Sequence, residues 1–167
     1  MKKQLFSILA MAILALGLTS CSKDDPAQPV TVDETATATI IGYVSFVPDL
    51  TGAAKPAYPA GSNVTITATV PYSSLNGEIT TTGNLEIAAS YDATTGRYKI
   101  DVPATLAATA SVTINVSAFT GDRINAADVR EIGVWTPNPT TTTVSVSKGQ
   151  TFKAANISYT FTAAPVQ

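Results

Sequence analysis

The stretch Asn63 to Val70 alternates apolar and polar side chains residue by residue. A period of two puts Val64, Ile66, Ala68 and Val70 on one side of an extended backbone and Thr65, Thr67 and Thr69 on the other. That is the pattern of a strand with one face in a core and the other in water. The pattern recurs at Leu85, Ile87, Ala89 and Tyr91, at Tyr98, Ile100 and Val102, at Val112, Ile114, Val116 and Ala118, and at Val144 and Val146. No segment sustains a period of 3.6, so the chain is expected to be all-β.

Punctuation between these runs sets the order of strands. Ala36 to Val47 reads as the first strand, with its facing left open because Ile40-Ile41 breaks the alternation. Pro48 and the Gly- and Pro-bearing run Asp49 to Gly61 read as a long loop. Pro71 stops the Val64–Val70 strand, and Tyr72 to Asn84 reads mostly as loop, with room for a short edge strand at Glu78 to Thr82. Asp92 to Arg97 is the turn of a hairpin joining the Tyr91 and Tyr98 strands, with Gly96 free to take positive φ. Gly121-Asp122 reads as a further turn, Arg123 to Val129 tolerates one helical turn, and Glu131 to Trp135 reads as a strand carrying Ile132 and Val134 until Pro137. Val144 and Val146 are expected to pair across Lys148-Gly149-Gln150 with Phe152, Ala154, Ile157, Tyr159 and Phe161 in a final hairpin. A phase shift is expected at Ala155-Asn156. Seven to eight short strands predict a single antiparallel β-sandwich over residues 35–167.

Composition removes several classes of chemistry. The chain has no histidine, which excludes Ser-His-Asp and Cys-His catalysis and histidine-ligated metals. Glu78, Glu86 and Glu131 have no spacing that brings two carboxylates together for glycoside hydrolysis. Asp122, Asn125 and Asp128 offer oxygens three residues apart, but calcium takes about 6–8, so a turn is the expected reading. No cofactor motif is present, and no metal is expected. Without Lys2 and Lys3 there are eight Lys and Arg against twelve Asp and Glu, a formal charge of −4. An acidic chain of this kind is not expected to bind nucleic acid.

The N-terminus carries an address. Met1-Lys2-Lys3 precedes an apolar run from Leu5 to Leu18 that is shorter than the ~20 residues of a membrane-spanning helix, so residues 1–20 read as a secretory signal. Leu18-Thr19-Ser20-Cys21 resembles the lipobox of bacterial lipoproteins, and Cys21 is the single cysteine. The resemblance implies cleavage before Cys21 and acyl chains, such as palmitate, on its sulfur and its new amino group. One acyl chain holds a protein on a membrane only marginally, whereas two anchor it stably. Ser22-Lys23-Asp24-Asp25 resembles the acidic export tag that follows this cysteine in some Gram-negative lipoproteins. It implies an outer-membrane address on the cell surface, with the periplasmic face as the alternative. Residues 21–34, with Pro26 and Pro29, read as a flexible tether.

Within the domain, Ile41-Gly42-Tyr43-Val44, the hairpin from Tyr91 to Pro103 with Gly96-Arg97-Tyr98, and Val144 to Thr151 together resemble the carboxypeptidase-regulatory-like, prealbumin-type sandwich. Thr95 stands where that family has an aspartate, and Tyr72 to Asn84 is longer than in the family. The resemblance implies an Ig-like or prealbumin-like fold and a structural or ligand-presenting role without catalysis, so no enzyme is expected. Trp135, before Thr136-Pro137-Asn138-Pro139, is either an exposed platform for a sugar or a protein partner, or a core aromatic. Tyr72, Tyr43 and Tyr58 have the same two readings. The expected role is a lipid-anchored binding or assembly module with contacts on the loops Asp49 to Gly61 and Tyr72 to Asn84. The alternatives are a subunit of a surface fibre or envelope complex joined by strand addition, and a carbohydrate-binding accessory lipoprotein.

Overall fold

A computed structural model describes residues 37–75, 82–103 and 109–165. The signal segment, Leu18–Cys21, Ser22–Asp25 and the tether lie outside the described residues, as does Glu78.

The described residues form eleven strands and one helical turn: β1 Thr37–Ser45, β2 Ile66–Pro71, α1 Tyr72–Leu75, β3 Asn84–Ala88, β4 Ser90–Asp92, β5 Arg97–Pro103, β6 Ala110–Val116, β7 Phe119–Ile124, β8 Arg130–Asn138, β9 Thr141–Val146, β10 Thr151–Lys153 and β11 Ile157–Ala163. They make two sheets. One runs β4-β5-β1-β11-β8-β7 with β10 also beside β1, and the other runs β3-β2-β6-β9. The protein is therefore all-β with two sheets in a sandwich-like arrangement. It has more strands than the seven to eight expected, and the larger sheet is mixed rather than antiparallel, because β1 pairs in parallel with β10 and with β11.

One core lies between the sheets. The larger sheet contributes Ala38, Ile40, Val44, Tyr98, Ile100, Val102, Trp135, Ile157 and Tyr159, and the smaller contributes Ile66, Ala68, Val70, Val112, Ile114, Val144 and Val146. The alternation at Val64–Val70 is seen as read, and Ile40-Ile41 proves to be in strict phase, with Ile40 buried and Ile41 half-buried on the outer side. The hairpin is also seen: Tyr91 pairs with Tyr98 and Asp92 with Arg97, and Gly96 has φ 68°. Gly42 pairs with Tyr98, and the fully buried Tyr98 ring lies where a Cβ on residue 42 would be. Glycine at 42 is therefore a packing requirement, met by the bare backbone of a strand interior.

Several expectations are corrected. The Leu85–Tyr91 run keeps one phase but serves both sheets: β3 pairs with β2, and after Ala89, whose N–H donates to the Ile66 carbonyl, β4 pairs with β5. Strands that change sheet are a means of turning a sandwich corner. The last hairpin does not exist. β9 pairs with β6 in the smaller sheet, and Lys148-Gly149-Gln150 carries the chain across to β1, where the Gly149 N–H donates to Thr37 O and the Thr39 N–H to Gln150 O. The break between β10 and β11 at Ala154–Asn156 is the phase shift read from the sequence.

Gly121-Asp122 is not a turn but the middle of β7. Gly121 pairs with Gly133 and lies under the Trp135 indole, 3.3 Å from where its Cβ would be, so glycine serves close packing there. Ala118 is exposed just before β7. In β8, Glu131, Gly133, Trp135 and Pro137 face inward, which turns Ile132 and Val134 to solvent. Pro137 does not end β8, because β7 stops opposite Trp135 and leaves that side of the strand unpaired, where proline is tolerated. Tyr72–Leu75 is a single helical turn rather than loop, and it buries Leu75.

Candidate functional site

The loop Asp49 to Gly61 is held against the β7–β8 hairpin, and the two together form a cleft. The turn of that hairpin is built by Asn125. Its side-chain oxygen accepts the N–H groups of Ala127 (2.9 Å) and Val129 (3.1 Å), while its backbone N–H donates to Val129 O and its carbonyl accepts from the Asp128 N–H. Such side-chain-to-backbone bonds make asparagine a turn former and let Asp128 take φ 60°. The Asn125 amide also donates to Glu131 Oε1 at 3.0 Å, and Arg123 donates twice to Glu131 Oε2 at 3.1 and 2.6 Å. The Arg123 guanidinium lies 4.5 Å from the Phe161 ring centroid, an arrangement that adds a cation–π attraction. A second pair, Arg130 with Asp122, ties the same two strands together.

The loop docks by its backbone. Ile124 N–H donates to Pro48 O at 2.8 Å, and Leu50 N–H donates to Ile124 O at 3.0 Å. Asp49 then accepts both the N–H and the hydroxyl of Thr51 at 2.9 and 2.7 Å, which shapes the turn away from the strand. The result is an open cleft of about 450 Å³ lined by Pro48, Asp49, Asp122, Arg123, Ile124, Asp128 and Arg130.

One carboxylate that lines the cleft, Asp49, and one on the inner side of the same hairpin, Glu131, are held in the charged form. The Thr51 hydroxyl and N–H hold Asp49 below the usual carboxylate range, and Arg123 with Asn125 does the same for Glu131. Hydrogen bonds to the charged form have this sign. A carboxylate held low is a poor general acid near neutral pH. Glu86 is exposed on the outer side of β3 in the smaller sheet, whereas Glu131 lies on the inner side of β8 in the larger, so the two side chains do not face each other. Of the oxygen triplet, Asn125 spends its oxygen on the turn and Asp122 is paired with Arg130. Among the described residues no group of three or more acidic, cysteine or histidine side chains converges on a metal position.

The candidate aromatics divide. Trp135 is 2% exposed, which corrects the exposed-platform reading. Its ring sits among Phe46 (centroids 4.9 Å), Phe161 (4.8 Å) and Phe119 (6.3 Å), and Phe119 meets Tyr159 at 4.9 Å. Phase explains the burial, since Trp135 shares the inward side with Gly133 and Pro137. Tyr72 is half-buried against the core beside Gly83, whose carbonyl accepts its N–H at 3.1 Å, so it acts as an edge of the core. Tyr43 and Tyr58 are exposed.

Sequence reasoning did not find the Arg123–Glu131–Asn125 network. Arg123 and Glu131 are cross-strand partners only if β7 runs through Gly121-Asp122, and reading a turn there concealed the pairing. No family model, curated protein or solved structure matches this chain.

Proposed function

We propose that the protein is a lipid-anchored cell-envelope binding module of the Gram-negative outer membrane, without catalysis, and that it presents its ligand surface on a rigid two-sheet scaffold. The finer reading of that scaffold is an Ig-like or prealbumin-like, carboxypeptidase-regulatory-like sandwich. The observation that supports a binding role is the cleft at Pro48–Asp49. It is walled by a loop whose backbone is pinned to β7 and by a hairpin whose turn is locked by Asn125. Loops held by a rigid scaffold bind with little ordering cost. The chain has no histidine, so histidine-based catalysis does not enter this reading. In this reading Cys21 carries the acyl chains, and Ser22–Asp25 directs the protein to the cell surface.

A pull-down from envelope extract with the lipidated protein, repeated with Asp49→Ala and Asp128→Ala, tests the cleft. The expected result is a partner retained by the native chain and lost by both variants. Equal retention by the variants refutes the cleft as the contact surface. Surface exposure is tested by antibody labelling, and label that appears only after permeabilisation refutes it.

A second reading, assembly by strand addition, is favoured by β7. It is the edge of the larger sheet, and Ile132 (61% exposed) and Val134 stand beside it on the open face. Pro48–Leu50 covers this edge at Ile124, so an added strand would pair along Phe119–Asp122, where a sheet edge with apolar neighbours is a template. Size-exclusion chromatography separates the readings: a monomer supports ligand presentation, and stable dimers or polymers support assembly.

A further inference from the structure

The outer face of the larger sheet carries a second, differently built hollow. Along β1 the outward positions are Thr37, Thr39, Ile41, Tyr43 and Ser45, so Ile41 and Tyr43 break an otherwise hydroxylated face. Tyr43 is 45% exposed. On one side β5 places Arg97 directly opposite Tyr43 and Lys99 opposite Ile41, and on the other β10 places Lys153 opposite Ile41. Directly paired residues share a face, so these side chains all stand on the outer surface. After Lys153 the chain dips toward the core: Ala154 is buried and donates its N–H to Ile41 O, and the ladder to β1 resumes only at Ile157. The dip leaves a concavity of about 270 Å³ lined by Ile41, Tyr43, Arg97, Lys153, Ala154 and Asn156.

Two cations at this hollow lack the ion pairs seen at other basic residues, as do Lys55 and Lys148 outside it. Arg123 and Arg130 are each paired with a carboxylate, and Lys99 is paired with Asp101 at 2.8 Å. Among the described residues, the side chains of Arg97 and Lys153 have no hydrogen-bond or ion-pair partner. The nearest acid by register, Asp92 opposite Arg97, keeps its charge but is hydrogen-bonded to the Thr94 and Thr95 hydroxyls and the Thr94 N–H rather than to Arg97. Two uncommitted cations thus flank an exposed tyrosine over an apolar floor, on a chain that is acidic overall.

We propose that this hollow binds a carboxylate-bearing saccharide, a uronate unit of an acidic glycan. The Arg97 guanidinium presents two parallel donors that match a carboxylate. The Tyr43 ring offers an apolar surface to a pyranose together with a polar tip. Asn156 supplies a donor and an acceptor for ring hydroxyls, and Lys153 meets a second anionic group along the chain. A neutral sugar leaves both cations without a counter-charge. An anionic lipid surface fits less well, since lipid recognition takes clusters of about four to eight cations on a flat or helical face, whereas here two cations rim a hollow. The site is separate from the loop cleft. It gives the binding-module reading a ligand class without depending on the lipid anchor.

Calorimetric titration of the full chain in neutral detergent with a galacturonate tetramer, against a galactose tetramer, tests the inference. The galacturonate tetramer is expected to bind at low ionic strength, to weaken as salt rises, and to exceed the neutral tetramer by at least tenfold. Arg97→Gln and Lys153→Gln are each expected to weaken it about tenfold, the loss of one charge-assisted contact. Tyr43→Ala is expected to weaken it while Tyr43→Phe largely preserves it. Asp49→Ala in the loop cleft leaves it unchanged, so failure here and failure of the loop cleft are distinguishable. Thermal melts confirm that each variant is folded. Absence of binding at millimolar galacturonate tetramer overturns the proposal, as does equal binding of the neutral tetramer or indifference to both charge substitutions. Arg97- and Lys153-dependent binding to phosphatidylglycerol vesicles without binding to the tetramer overturns it in favour of a lipid surface.

Discussion

Replacing Trp135 with alanine separates a core aromatic from a ligand platform, because the two roles give opposite results. The residue is 2% exposed and its ring meets Phe46 at 4.9 Å and Phe161 at 4.8 Å. Truncating a buried Trp or Phe costs about 3–5 kcal/mol through lost transfer energy and the cavity left behind, and each aromatic pair adds about 0.5–1.5 kcal/mol beyond its area. Part of that second contribution is already inside the first range, so about 4 kcal/mol is expected. With a urea slope of about 2 kcal/mol/M, the midpoint falls by about 2 M. That is a large share of the ~5–15 kcal/mol total of a typical domain. Trp135→Phe keeps a ring in place and removes an indole N–H that has no acceptor in the core, so it is expected to cost about 1 kcal/mol, toward the mild end of large-to-small changes. Circular dichroism follows the unfolding of both variants. Because Trp135 is the single tryptophan, its fluorescence in the native chain reports the site alone: blue-shifted emission, protected from iodide until urea unfolds the domain. A Trp135→Ala midpoint within about 0.5 kcal/mol of native, the usual range for surface changes, or open quenching in the folded protein, refutes the reasoning.

Three further outcomes follow from the packing and the ionisable groups. Gly42→Ala places a methyl group in the Tyr98 ring and is expected to cost about 3 kcal/mol, the upper part of the overpacking range. A Gly42→Ala, Tyr98→Leu double variant is expected to lose less than the two single changes added together, and strict additivity in urea melts contradicts the contact. Burial raises the Tyr98 and Tyr91 hydroxyls to about 12 and pushes Tyr159 up as well. A raised folded-state value means stability that is complete below the ordinary tyrosine value near 10 and declines as pH rises toward 12. Melts from pH 9 to 12 are expected to show that decline, less steep in Tyr98→Phe, and a flat profile sinks it. Asp92, Asp101 and Glu131 are held low, by Thr94, by Lys99 and by Arg123 respectively as the main cause. Depressed values give stability that is present above the unfolded carboxylate range near 4 and lost as pH falls below it. A melting temperature that is constant from pH 7 to 5 and then drops is expected, with a smaller drop in Asp92→Asn.

What the sequence disclosed, and what it concealed, follows from the range of the forces involved. The Val64–Val70 strand and the hairpin from Tyr91 to Val102 were legible because each is specified locally, by alternation on the strands and by Gly96 at φ 68° in the turn. The partnership of strands was not. Val144–Val146 and Phe152–Phe161 are neighbours in sequence separated by a Lys-Gly-Gln, which reads as a hairpin, yet they fall in different sheets because the core needs β9 beside β6 and β11 between β1 and β8. Parallel pairing with β1 left no local mark at all. At Gly121 and Gly133 the glycines mark close packing with Trp135 and the β11 backbone rather than chain reversal, and only the tertiary fold distinguishes the two uses. The phase of β8 depends on the same ring, which is why Ile132 and Val134, apolar by type, lie outside. Of the candidate sites, the loop Asp49–Gly61 was visible from its Gly and Pro content, whereas the walls of its cleft and the hollow at Tyr43 are made by residues from strands far apart in the chain.

The proposed attachment through Cys21 is tested most directly by the mass of the mature N-terminus. The full chain is expressed in a Gram-negative host, recovered from the outer-membrane fraction and digested. The expected N-terminal peptide begins at Cys21 and carries the added mass of a diacylglycerol and an amide-linked acyl chain. A peptide that begins at another residue, or begins at Cys21 with a free thiol and no lipid, contradicts the account.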